Sequence, residues 1–145
     1  MAGFLFNEGA YQLLSNGTNW GSDTIKARLV TTAAGVPDID ADVMTGIGST
    51  EATATCTLGT KVGPTKSDAN DHVTYSSANA VFTAAAGAIG ACTRMVIFKF
   101  VTNDAASIPL ACVDITSVTP NGGDVTVTCP TVETVATWFY TQQHA

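Results

Sequence analysis

The chain has 145 residues, a net charge of -6 at pH 7 and a pI near 4.5; 12% of its residues are charged and 46% are hydrophobic. That length suits one domain, spanning 1-145, able to bury roughly two-thirds of the surface its unfolded chain exposes. The acidic balance, with 6 Lys and Arg spread along the chain, argues against nucleic-acid binding, which needs a basic face to displace phosphate counterions.

Charged residues usually make up about a quarter of a domain. Here Thr, Ala, Gly and Ser fill the gap, leaving a surface with few charges to desolvate on association, which favours a protein that works packed against neighbours. The opening "MAGFLFNEGAYQLL" lacks a basic n-region and a long apolar h-region, and no segment approaches 18 apolar residues. A soluble protein made in a cytoplasm and independent of membranes is the expectation. Cys56, Cys92, Cys112 and Cys129 are widely spaced and form no C-x-x-C pair. They read as buried or half-buried thiols used as small hydrophobes.

From Asn7 to Asn16 the apolar positions Ala10, Tyr11, Leu13 and Leu14 have helical spacing, with Asn7 placed to cap the start and Gly17 to end the helix. Two to three turns are too few to stand alone, so this helix must dock. In "TIKARLVTT" the period changes: Ile25, Ala27 and Leu29 face one way, Lys26 and Arg28 the other, as in a half-buried strand. "VPDIDADVM" is a turn with Asp40 as a cap, and "EATATCTLGTKV" alternates again, with Ala52, Ala54, Cys56 and Leu58 opposite Thr53, Thr55 and Thr57. Gly63-Pro64 and "SDAND" read as turns, "HVTYSS" and "AVFTAA" as short strands.

The best-patterned stretch is "RMVIFKFVTNDAASIPLACVDI". Val96, Phe98 and Phe100 share one face and Met95 and Ile97 the other, which predicts a central strand covered on both sides. Leu110 to Ile115 is the next strand, Pro109 suits a strand's first residue, and "TNDAAS" between them is expected to reach outward. "NGG" supports a turn into "DVTVTC". In the tail "TVETVATWFY", Val132, Thr134, Ala136, Trp138 and Tyr140 lie on one side. Seven or eight short strands after one short N-terminal helix predict a mainly β fold, an antiparallel β-sandwich or jelly-roll-like barrel.

Motifs for chemistry are sparse. "GTKVGPTKS" departs from a phosphate loop because Pro64 and Thr65 separate Gly63 from Lys66, removing a backbone donor where donors should cradle phosphate. Asp38, Asp40 and Asp42 open like a calcium loop, but Val43 and Ser49 stand where Gly and Glu are required. His72 and His144 are the only histidines, and neither sits beside a nucleophile. The expectation is no enzyme, no cofactor and no metal. The ends hold the most suggestive side chains. Phe4, Phe6, Tyr11, Trp138, Phe139 and Tyr140 either close the core or act as N- and C-terminal contact arms, since large aromatics are enriched where surfaces bind.

Several stretches taken in order, "NEGAYQLLSNG", "IKARLVTT", "PDIDADVM", "HVTYSSANAVFTAA" and "IGACTRMVIFKFVTNDAASIPLACVDI", resemble a family of small structural proteins of tailed bacteriophage virions. The resemblance spans most of the chain and lies in strands and turns, without a catalytic signature; the tail after Cys129 departs from it. It implies a virion component on the capsid surface, a decoration or cement protein bound to the major capsid protein, acting as a homo-oligomer, a trimer on three-fold sites. The same pattern is similar to tail- and fibre-associated proteins, for which the alternative would be a structural or carbohydrate- and receptor-binding module using Trp20 or Trp138 as a sugar platform.

Overall fold

In a computed structural model, residues 3-47, 54-69, 71-83, 85, 89-132 and 135-142 are described, those at 131, 132, 135, 136 and 140-142 by their backbone alone. The described residues open with β1 (Gly3–Leu5) and contain one α-helix, α1 (Asn7–Leu14), followed by β2 (Ile25–Thr31) and a 3-10 turn at Thr32–Ala34. A second 3-10 turn at Met44–Ile47 precedes β3 (Thr55–Thr57), β4 (Val62–Ser67), β5 (His72–Ser76) and β6 (Ala80–Phe82). The two long strands β7 (Cys92–Lys99) and β8 (Ile108–Val118) come next, then β9 (Val125–Val127), β10 (Thr131–Val132), β11 (Val135–Ala136) and β12 (Phe139–Gln142).

The strands pair antiparallel throughout, in a five-stranded sheet of order β1-β8-β7-β2-β3, a three-stranded sheet β12-β5-β4, and the pairs β6-β9 and β10-β11. The sheets are open, as in a sandwich, and the mainly β class with one short N-terminal helix is as expected.

The alternation in β7 builds two cores. Met95 and Ile97 join Ile25, Ala27, Leu29, Leu110 and Val113 in the main core, against Trp20, Tyr75, Phe82, Trp138 and Phe139. Val96 and Phe98 point the other way into a smaller core with Phe6, Val30, Ala41, Met44, Ile47 and Cys112. Both faces of the central strand are thus covered, and all four of Met95–Phe98 are buried. In the main core Trp20, Tyr75 and Phe139 meet as a ring cluster, Tyr75 stacked on Phe139 at 4.8 Å and Trp20 edge-on to both at 5.7 and 5.4 Å.

The second core corrects the reading of β2. Arg28 does not face solvent: it is 2% exposed. Its guanidinium is held by Asp104 through two bonds of 2.8 Å and by Thr55 Oγ1 at 3.1 Å, and it lies 5.2 Å from the Phe98 ring centroid. Lys26 stays on the same side, with its ammonium 3.6 Å from the Phe100 centroid. The connector between β7 and β8 therefore divides its roles. Thr102 and Asn103 are exposed as expected, and Val101 before them is exposed too, but Asp104 turns back to Arg28 and Ser107 is fully buried.

Local boundaries differ for identifiable reasons. Phe6, with an extended backbone, precedes the helix, so Asn7 is its first residue rather than its cap; the Asn7 side chain donates to Asp40 instead. The helix ends at Leu14, and Asn16 takes the left-handed turn at φ 66° ahead of Gly17. Asp38, not Asp40, organises the acidic turn, accepting the Asp40 N–H on its side chain and the Ala41 N–H on its carbonyl. The predicted strand around Cys56 is divided: Thr55–Thr57 pairs with β2, flanked by the bonds Leu29 N–H to Ala54 O and Leu58 N–H to Ile25 O, while Val62 already belongs to β4; Ala52 and Thr53 lie outside the described residues. Gly63-Pro64 is not a turn but part of the edge strand β4, where the register shifts between Val62 and Thr65. Gly63 is required there: its φ is 133°, and a Cβ would lie 2.8 Å from the Thr74 carbonyl oxygen. Pro109 is the second residue of β8, which runs past Ile115 to Val118.

Candidate functional site: the outer edge of the eighth strand

β8 has β7 along one side. Its other side is covered in successive segments by different means. Around Pro109 and Leu110 the cover is α1, because Gly9 packs directly on that backbone; a Cβ there would lie 2.5 Å from the Leu110 carbonyl oxygen and 2.6 Å from its Cα. From Ala111 to Val113 the cover is β1, in the register Leu5↔Ala111, Phe4↔Cys112 and Gly3↔Val113. From Asp114 to Val118, no strand among the described residues pairs with this side.

The docking of α1 decides which of its apolar residues are free. With Gly9 against the strand, Leu13 turns toward the main core, while Tyr11 and Leu14 point away, 63% and 83% exposed. Positions three apart share a helix face, so these two form one outward apolar spot. The helix is held at both ends, by Phe6 N–H to Leu110 O at 3.0 Å and by Lys99 Nζ to Gly17 O at 2.7 Å just beyond it. Lys99 also pairs with Asp23 at 3.0 Å. Burial of Asp23 opposes ionisation, but the Asn19 N–H and the Lys99 ammonium outweigh it and hold the carboxyl below its ordinary value.

The C-terminal part of β8 forms one wall of a groove of about 390 Å³, lined by Asp114, Ile115, Thr116 and Val118, with β9 and its continuation to Pro130 opposite. Asp114 is the charged residue of this lining, and it faces Arg94 Nε at 3.4 Å. Ile115, Val118 and Val127 at the groove's base pack on the main core.

The six aromatic candidates separate clearly. Phe6 is completely buried in the second core beside half-buried Phe4, their rings 5.1 Å apart edge to face. Trp138 and Phe139 are 2% and 8% exposed within the main core. This corrects the contact-arm reading for Phe6, Trp138 and Phe139, whose faces are occupied by their own chain. Tyr11 remains on the surface. Tyr140 pairs with Thr74 in β12, and its side chain lies outside the described residues. Leu14 and the β8 edge were missed at the sequence level. Leu14 shares the helical spacing of the inward residues, and an unpaired edge leaves no mark on composition.

The other motifs take structural places. Lys61 donates to the Asp23 carbonyl, and Lys66 and Ser67 lie in β4 with no helix following. Asp38, Asp40 and Asp42 are exposed, and among the described residues no group of three or more His, Cys, Asp or Glu could hold a metal ion. His72 opens β5 and is buried; His144 and Thr134 lie outside the described residues. Trp20 and Trp138 are both buried, their indole N–H groups donated to Ser76 O at 3.0 Å and Ser77 Oγ at 2.6 Å. All four cysteines are free thiols. Burial pushes Cys56 up to about 11 and, helped by the Asp114 charge, Cys112 up to about 12. No helix among the described residues is long and apolar enough to cross a membrane.

Comparison with known proteins finds no matching family model, no matching curated protein and no matching solved structure. Among the described residues, this side of the molecule carries an apolar spot, Tyr11 and Leu14, on a helix held at both ends.

Proposed function

We propose that the protein is a non-enzymatic bacteriophage capsid decoration protein, which binds the outer surface of the shell of major capsid protein and stabilises it. The observation that carries this reading is the pair Tyr11 and Leu14, exposed on a helix whose backbone Gly9 presses against β8. A partner covering them gains on the order of 1.5–3 kcal/mol for a fully buried large apolar side chain, with little ordering cost because the helix is already fixed. The low share of charged residues in the chain, 12%, and its resemblance to small virion proteins support the same reading.

The mechanism is mass action: a protein that binds only the assembled shell stabilises it by RT ln(1 + [L]/Kd) at each site, and a lattice repeats that gain at every copy. A homotrimer on three-fold lattice positions is the assembly that matches such symmetry. The tail-fibre sugar-binding alternative loses its basis, because Trp20 and Trp138 are inside the protein with their indole N–H groups in use.

Co-sedimentation with expanded, undecorated heads tests the proposal. Wild-type protein is expected in the pellet, and a Tyr11→Ser, Leu14→Ser variant with unchanged Tm in the supernatant. Wild-type protein remaining wholly in the supernatant overturns it.

A further inference from the structure

The pair Asn-Gly occurs twice in the sequence, at Asn16-Gly17 and at Asn121-Gly122. It is the most reactive setting for an asparagine side chain, because glycine puts no Cβ in the way when its backbone nitrogen closes on the asparagine Cγ. All four residues are exposed. Composition and exposure therefore treat the two pairs alike, and hydrogen bonding separates them.

Asn121-Gly122 is clamped. Gly122 N–H donates to Ala85 O at 2.8 Å, Ala85 N–H returns to Gly123 O at 2.9 Å, and Asn121 Oδ1 accepts the Gly123 N–H at 3.1 Å. Both reacting groups are held, so ring closure there requires this bridge to open first. Asn16-Gly17 is anchored around the reacting bond but not at it. Ser15 N–H reaches Tyr11 O at 2.8 Å, Thr18 N–H reaches Gln12 O at 3.0 Å, and the Gly17 carbonyl accepts Lys99 Nζ at 2.7 Å. Among the described residues, neither the Asn16 side chain nor the Gly17 N–H has a hydrogen-bond partner.

We infer that Asn16 is a self-modification site, which the folded protein converts to aspartate and isoaspartate while Asn121 is preserved. Hydroxide from solvent takes the Gly17 amide proton, and the nitrogen attacks Asn16 Cγ. The N–Cγ bond forms, the Cγ–Nδ2 bond breaks, and ammonia leaves with a proton from water. Water then opens the resulting succinimide at either carbonyl, giving aspartate or the isoaspartate whose backbone runs through the side chain. No electrons are exchanged. Either product carries a carboxylate where Asn16 was neutral, at the C-terminal end of α1, whose last turn holds no basic residue and whose free carbonyls already present partial negative charge. The new charge stands two positions after Leu14. The apolar spot of Tyr11 and Leu14 thus gains a charge at its border as the protein ages.

The test is ageing of the full chain in mildly alkaline buffer, folded and in urea. Peptide mapping, with methyl transfer by an isoaspartate-specific methyltransferase, counts the product at each site. In the folded protein Asn16 should convert roughly tenfold faster than Asn121, the factor that one net hydrogen bond represents. In urea, where the Ala85 bridge is lost, the two rates should converge. Asn16→Gln should remove most of the isoaspartate that the folded protein forms, and an undiminished yield from it overturns the proposal. Equal rates at the two sites in the folded protein, or an Asn16 that survives in the fold while converting in urea, also overturn it. So does a gap of the same size that persists in urea, since local sequence rather than the fold would then set the difference.

Discussion

Arg28 and Asp104 meet as a two-pronged ion pair, with Nη1 to Oδ2 and Nη2 to Oδ1 both at 2.8 Å, linking β2 to the β7-β8 connector across 76 positions of sequence. The Arg28 side chain is 3% exposed and that of Asp104 16%. A pair this covered gains its Coulomb attraction against a large desolvation cost, so its net contribution is small while the loss of one partner is severe.

Asp104→Ala should therefore destabilise the protein by about 3 kcal/mol, the lower end of the range for an orphaned buried charge. Arg28→Met with Asp104→Leu should recover most of that. Urea unfolding of the two singles and the double, read as a mutant cycle, measures this. Additive single effects would show that the two side chains act independently.

Gly9→Ala should cost about 1–3 kcal/mol even though alanine is the better helix former, because its Cβ would sit 2.5–2.7 Å from the backbone of Leu110 and Pro109. The helix must lift to accommodate it, so the variant should also bind heads less well than wild type. A Tm equal to or above wild type would mean that the helix is not seated on the strand.

The thiols predict alkaline sensitivity. Cysteine in the unfolded chain ionises near 9, whereas burial holds Cys56 neutral to about 11 and Cys112 to about 12. Between those values the unfolded state releases protons that the folded state keeps, so stability is full below pH 9 and falls as pH rises, by at most about 1.4 kcal/mol per pH unit for each thiol. Urea midpoints at neutral pH and midway between the two values should show the fall, and Cys112→Val should reduce it. At neutral pH a thiol-labelling reagent should leave Cys92 and Cys112 unmodified until denaturant is added; rapid labelling of the native protein would contradict their burial.

Much of the fold was legible because strand alternation is a local property. Met95 and Ile97 against Val96 and Phe98 define two faces from four consecutive residues, and the two cores follow that division. The aromatic cluster was less legible. Trp20 and Phe139 touch only because β12 pairs with β5, and nothing near either residue distinguishes a core partner from a contact arm.

By itself the sequence determined the antiparallel β class, the short N-terminal helix and the two-sided central strand, since each depends on backbone periodicity within a few residues. Tertiary structure alone decided that Arg28 is buried, that Tyr11 and Leu14 are exposed, and that Gly9 of the helix is pressed against the β8 backbone. The physical reason is common to all three. Periodicity states which side chains share a face, but which face is covered depends on segments distant in the chain, here Asp104 for Arg28 and Leu110 for the helix.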